Sequence, residues 1–180
     1  MNTNGAVIKN VFLTGDFGVG KSSAVAEIIK QLGCRFDGLI TKKITENERI
    51  VGFSLSSICN ENSHVFAHED FDEPIRYDRF GIRPWVFDTY GVAILKNIGS
   101  ETKLIVIDEV GIMEQQAGLF ISQFLQILNG RLPVLAVVQK RADYIWRQVE
   151  GRKDSVVFRM GQGDGKRITD RIVAILRDRI

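Results

Sequence analysis

Two short stretches carry residue types able to do chemistry. Gly15-Asp16-Phe17-Gly18-Val19-Gly20-Lys21-Ser22 has the spacing G-x-x-x-x-G-K-S, the Walker A pattern. Triphosphate oxygens need several donors converging in a small space. Backbone N–H groups supply them where the chain wraps closely, so glycines stand where a side chain would clash. The helix that should follow adds its positive N-terminal end, with Ser23 among the residues reaching the nucleotide. Lys21 is expected on the β- and γ-phosphates, and Ser22 on Mg²⁺.

The second stretch is Leu104-Ile105-Val106-Ile107-Asp108-Glu109, an apolar run closed by two carboxylates. Ligands of open α/β sheets bind at the carboxyl ends of strands, the edge from which the glycine-rich loop also leaves. Asp108 is therefore expected to hold Mg²⁺ through water. Side chains alternate along a strand, so Glu109 points to the other side, where it can orient or deprotonate an attacking water. A plain glycine turn, or a merely polar strand end, would account for either stretch alone.

The elements that must position these residues alternate between strand and helix. Val11 to Leu13 reads as a buried parallel strand running into Thr14-Gly15, and Ser22 to Leu32 carries a helical apolar stripe ended by Gly33. Strands are expected at Phe36 to Thr41, at Arg49 to Ile58 after a turn at Glu46-Asn47, and at His64 to Phe71 on an edge. Asp72 to Pro84 reads as an irregular surface loop and Asp88 to Ile98 as a helix. Beyond the Lys103 to Ile107 strand come a helix at Leu119 to Leu128, a buried strand at Pro133 to Val138 and a helix at Asp143 to Val149. A strand at Val156 to Phe158 and a final helix at Ile168 to Arg177 complete the chain. This order predicts an α/β fold with a mainly parallel sheet and an antiparallel β-rich segment at one edge, between about residues 40 and 70.

With 180 residues, 44% hydrophobic and 26% charged, residues 1–180 fit one domain with a real core. The net charge of +2 is dispersed and gives no basic footprint for nucleic acid. Cys34 and Cys59 lie far apart with no CxxC spacing, which argues against a zinc site or disulfide framework and points to a reduced, cytoplasmic setting. The opening MNTNGAVIKN lacks the pattern of a signal peptide, and no apolar run approaches the roughly 18 residues of a membrane span.

Beyond the phosphate loop, Asp37-Gly38-Leu39-Ile40-Thr41, Val51-Gly52-Phe53 and especially Ile107-Asp108-Glu109-Val110-Gly111-Ile112-Met113-Glu114 resemble the THEP1 family of nucleoside triphosphatases. Weaker similarity continues through Trp85-Val86-Phe87-Asp88 and Arg152 to Phe158. The resemblance implies a three-layer, RecA-like P-loop fold, Mg²⁺ dependence and slow hydrolysis of several NTPs, ATP or GTP among them, to NDP and phosphate. It also implies that the Val134 to Val138 strand lies between the phosphate-loop strand and the Asp108 strand. Gln139, at its end, is then either a sensor of the γ-phosphate or simply a polar residue leaving a buried strand. The chain departs from the family at Lys42-Lys43-Ile44-Thr45, where acidic residues and an Arg are usual. It also departs at Ile112, in place of Lys, and at Met160-Gly161-Gln162-Gly163, near an expected Asn-Arg pair. These departures bear on base selectivity and rate.

His64 and His68 have the spacing of a helical metal pair, but a strand there sets them about 13 Å apart, too far to share an ion. Phe17, Phe80 and Trp85 are candidates to stack on a base, packing being the commoner role for an aromatic. Arg76, Arg79, Arg83, Arg141 and Arg147 are candidate γ-phosphate arginines, with Arg141 and Arg147 favoured because they follow the Gln139 strand. Three functions fit these residues: hydrolysis of an NTP, phosphoryl transfer to a small acceptor, or a nucleotide-dependent switch without turnover. The base at Glu109 favours the first. Oligomeric state is not legible.

Overall fold

The computed structural model describes residues 7–60 and 62–180; residues 1–6, part of the opening read for a leader, lie outside them. Strand β1 (Asn10–Gly15) is buried along its whole length and leads through a glycine loop into helix α1 (Lys21–Leu32). Next come β2 (Phe36–Glu46), β3 (Arg49–Ser57), β4 (Ser63–His68), β5 (Arg76–Tyr77) and β6 (Phe80–Ile82). A helical run follows, made of α2 (Pro84–Val86), a π-helical turn (Phe87–Gly91) and α3 (Val92–Lys96). The rest is β7 (Leu104–Val110), α4 (Gly118–Asn129), β8 (Val134–Val138), α5 (Asp143–Val149), β9 (Ser155–Met160) and α6 (Gly165–Arg177).

Among the described residues nine strands join one sheet in the order β5-β6-β4-β3-β2-β7-β8-β1-β9. From β2 to β9 neighbouring strands are parallel; from β2 to β5 they are antiparallel. The mainly parallel sheet with an antiparallel segment at one edge is therefore as the strand–helix alternation predicts. β8 lies between β1 and β7, as the resemblance implies. Its five residues are all fully buried, the run of Val, Leu and Ala that a strand covered on both faces requires.

Alternation along the central strands sorts the core into two layers. Phe12, Ile105, Ile107, Ala136 and Val138 pack with Phe87, Phe120 and Phe124 on one face. Val11, Leu13, Leu104, Val106, Leu135 and Val137 pack with Ile28, Ile172 and Leu176 from α1 and α6 on the other. Each such side chain contributes about 1.5–3 kcal/mol on burial, so the parallel block is a rigid base for the loops at its carboxyl edge.

Three expectations are corrected. Asp72 to Pro84 is not one loop: β5 and β6 form a tight hairpin there, and Phe80 and Ile82 are buried. The helix expected at Asp88 to Ile98 begins earlier, because Pro84, whose fixed φ and missing N–H suit the first helical turn, opens it, and it ends at Lys96. The strand expected on an edge at His64 to Phe71 stops at His68 and is interior, since β6 and β5 lie outside it. His64 and His68 do lie on a strand, and His64 stacks on Tyr90 with ring centroids 3.4 Å apart.

Candidate active site

The glycine loop sits at the carboxyl edge of the parallel strands. Gly20 caps α1 with φ +93°, a left-handed conformation that glycine adopts without penalty. Its conformation turns the chain from the loop into the helix, so the first N–H groups of α1 face the loop. The Lys21 ammonium folds back over the loop, donating to the Gly15 carbonyl at 3.1 Å and the Asp16 carbonyl at 3.0 Å. Asp16 is tethered from the next strand over: Lys140 donates to its carboxylate at 2.7 Å and holds that carboxyl below its ordinary range.

Asp108, on β7, is only 8% exposed. Burial pushes its carboxyl above the ordinary value; a hydrogen bond with Ser22 and the Lys21 charge oppose the rise, and the Glu109 charge adds to it. Lys21, Ser22, Asp108 and Glu109 therefore meet in one place, from the start of α1 and the end of β7. A hydroxyl and a carboxylate are hard oxygen donors suited to a divalent ion such as Mg²⁺, which takes one or two protein oxygens and otherwise water and phosphate. Among the described residues there is no cluster of three or more His, Cys, Asp or Glu that could hold a metal.

Glu109 is half-buried and accepts a hydrogen bond of 2.5 Å from the Gln139 side-chain amide. Gln139 in turn accepts from the Ile112 N–H at 3.2 Å, and its main chain pairs with Val110 and the Trp146 indole. Gly111 makes this possible: a Cβ there would lie 2.3 Å from the Gln139 side-chain amide carbon. The Gly111 peptide is clamped at both ends. Its N–H donates to Glu114 at 2.7 Å, and its carbonyl accepts from the Tyr144 hydroxyl at 2.7 Å. Burial pushes the Glu114 carboxyl up to about 7, against its backbone hydrogen bonds and helped by the Glu109 charge. Burial likewise raises the Tyr144 phenol.

Of the remaining candidates, Gly18 and Val19 stay in the loop, and Ser23 and Val19 border a cleft of about 570 Å³ between α1 and α6 with Gly20, Met160, Gly163 and Lys166. Phe17 is 80% exposed, and Lys43 lies over its ring. Trp85 is half-exposed beside Tyr90, whereas Phe80 is buried against Phe53 and is no stacking platform. Arg76, Arg79 and Arg83 are engaged with other groups, Arg79 with the Ile50 carbonyl and Arg83 with Glu73, each at 2.7 Å. Arg147 lines a second cleft, of about 350 Å³, with Thr14, Lys140, Trp146 and Arg159; Arg141 is not among its lining residues. The sequence reading missed Glu114, although a carboxylate three residues past Gly111 is the spacing that lets it cap that N–H.

A parallel sheet whose first strand ends in a glycine loop, with two strand-end carboxylates beside it, is the architecture of phosphate-loop nucleoside triphosphatases. A family described as NTPase matches residues 10–173, and the chain belongs to it. The resemblance to THEP1 is borne out among relatives. Nucleoside-triphosphatase THEP1 of Thermotoga maritima is 25% identical over 167 residues, 93% of this chain and 95% of that protein. Nucleoside-triphosphatase THEP1 of Methanocaldococcus jannaschii is 29% identical over 133 residues, 72% and 78% of the two chains. The crystal structure of THEP1 from the hyperthermophile Aquifex aeolicus superposes with a TM-score of 0.79 at 24% identity, covering 93% of this chain and 98% of that one. The solution structure of a human cancer-related nucleoside triphosphatase does so with 0.80 at 23%, covering 94% and 98%. These two likenesses bear on the fold. Among the described residues no helix is long and apolar enough to cross a membrane.

Proposed function

We propose that the chain hydrolyses nucleoside triphosphates with Mg²⁺, ATP or GTP among them, to NDP and phosphate, using water as the acceptor. The observation that carries this reading is the meeting of Lys21 and Ser22 with Asp108 and Glu109, with Gln139 bonded to the last. The loop N–H groups and the Lys21 ammonium bind the β- and γ-phosphates. Ser22 and Asp108 would hold the ion, which would supply neutralisation of charge developing on the phosphate oxygens. Gln139 fixes the Glu109 carboxylate, and Glu109 orients a water and accepts its proton. The water oxygen forms the new bond to the γ-phosphorus as the bond from that phosphorus to the β,γ-bridging oxygen breaks. The nucleoside occupies the cleft between α1 and α6, which Ser23 helps to line.

Phosphate release from ATP, GTP, CTP and UTP with Mg²⁺ and no added acceptor tests the proposal. Glu109→Gln should keep Mg·NTP binding and lose about 10²–10⁴-fold in turnover. Parental turnover in Glu109→Gln removes the assigned base. Loss of NTP only in the presence of an added acceptor, with a phosphorylated product, makes the protein a kinase instead.

A further inference from the structure

β2 pairs with β7 only as far as Ile40 opposite Asp108, and from Thr41 to Glu46 it pairs with β3 alone. The β2–β3 hairpin thus overhangs the edge at which β7, β8 and β1 end. Its turn, with positive φ at Asn47 and Glu48, is a tight two-residue connection that keeps the arm stiff. Three strand spacings separate β2 from β1, roughly 14 Å. Yet the Lys43 ammonium lies 4.3 Å from the centroid of the Phe17 ring in the phosphate loop. The Lys43 and Phe17 side chains therefore meet over the ends of β7 and β8, which lead to Asp108, Glu109 and Gln139. Thr41, two residues before Lys43 and so on the same side of the strand, has a buried hydroxyl oxygen without a hydrogen-bond partner among the described residues.

An exposed ammonium–ring contact is weak. A hydrogen bond between ammonium and a phosphate oxygen is charged on both partners and is the stronger of the two. Phe17 is the third residue of the loop whose N–H groups wrap the terminal phosphates, so the ring holds the ammonium a short distance from them. We infer that Lys43 is a catalytic residue that moves from the Phe17 ring to a γ-phosphate oxygen, across the site from Lys21, and stabilises charge there as the phosphoryl group transfers. This rests on the proposed hydrolysis. A lysine presents a compact point charge rather than the two-pronged fork of an arginine, so its contribution should fall below that of a γ-phosphate arginine.

The test compares Lys43→Ala, Lys43→Arg and Lys42→Ala in the full chain, after circular dichroism has verified the fold. It measures kcat, and Kd for a non-hydrolysable NTP analogue and for NDP. Lys43→Ala should lose at least about tenfold in kcat and bind the NTP analogue several-fold more weakly, with NDP affinity unchanged. Lys43→Arg should recover most of both, and Lys42→Ala, on the opposite side of the strand, should match the parent. Equal weakening of NTP and NDP, no change in either measure, or an equal loss in Lys42→Ala overturns the assignment. The NTP-to-NDP affinity ratio reads the contact without turnover, so a parent that does not hydrolyse NTP sinks the proposed function while Lys43 is still judged.

Discussion

The side-chain amide of Gln139 donates to the carboxylate of Glu109 at 2.5 Å, and it rests against Gly111, where any Cβ would strike it. Gly111→Ala should therefore push Gln139 off Glu109. A misplacement of this kind costs on the order of 10²-fold in kcat, with Mg·NTP affinity kept. Steady-state rates beside calorimetric binding check this; an unaltered kcat means that the amide does not steer Glu109.

Glu114 gives a pH dependence with a definite sign. Its carboxyl is pushed up to about 7 from an ordinary 4.5. Between those values the folded chain binds the proton and the unfolded chain does not, so stability falls as pH rises from about 4.5 to 7 and stays lower above. The total change is on the order of 3 kcal/mol. Glu114→Gln keeps an acceptor for the Gly111 N–H and carries no charge, so its urea-unfolding free energy should lack this decline. Parallel pH profiles for parent and variant count against the buried carboxyl as the source.

Lys21→Ala and Asp108→Asn should fail differently. The first removes the ammonium that crosses the loop from Gly15 to Asp16 and should weaken NTP binding by at least about tenfold. The second keeps the shape of the buried side chain and should raise the Mg²⁺ concentration needed for half-maximal rate, with a smaller effect on NTP affinity. Magnesium titrations at fixed NTP separate the two; identical shifts mean the metal and phosphate roles are wrongly divided.

The Asp16–Lys140 pair ties the phosphate loop to the end of β8 but is exposed on both sides. Lys140→Ala should leave the melting temperature almost unchanged, and in high salt wholly so. A thermal melt showing a large drop points to a structural role that an exposed pair does not have.

The chemistry-bearing segments were legible because each coincides with a local signal. The run from Val11 ends at glycine, the run from Leu104 ends at two acids, and α1 shows its apolar stripe, with Ala24, Val25 and Ile28 buried. Short elements were not, since two or three residues show no periodicity. Arg76–Tyr77 and Phe80–Ile82 become strands only by pairing with each other and with β4. The π-helical turn at Phe87–Gly91 leaves no trace in spacing. Glu114 belongs to the run that most resembles the family, but its contact with the Gly111 N–H, whose carbonyl Tyr144 holds, shows only in the fold. Lys43 stands out in the sequence only as a departure from the family, because its approach to Phe17 depends on how far the hairpin overhangs.

β2 takes part in both halves of the sheet, and that makes its length unequally tolerant of change. A residue added at Asn47–Glu48 extends only the tip and leaves everything before it in frame. A residue added between Ile40 and Lys43 turns the rest of the strand over, because side chains alternate. Lys43 then faces away from Phe17 and the neighbouring position takes its place. An inserted residue is therefore tolerated at the turn and disruptive between Asp37 and Lys43.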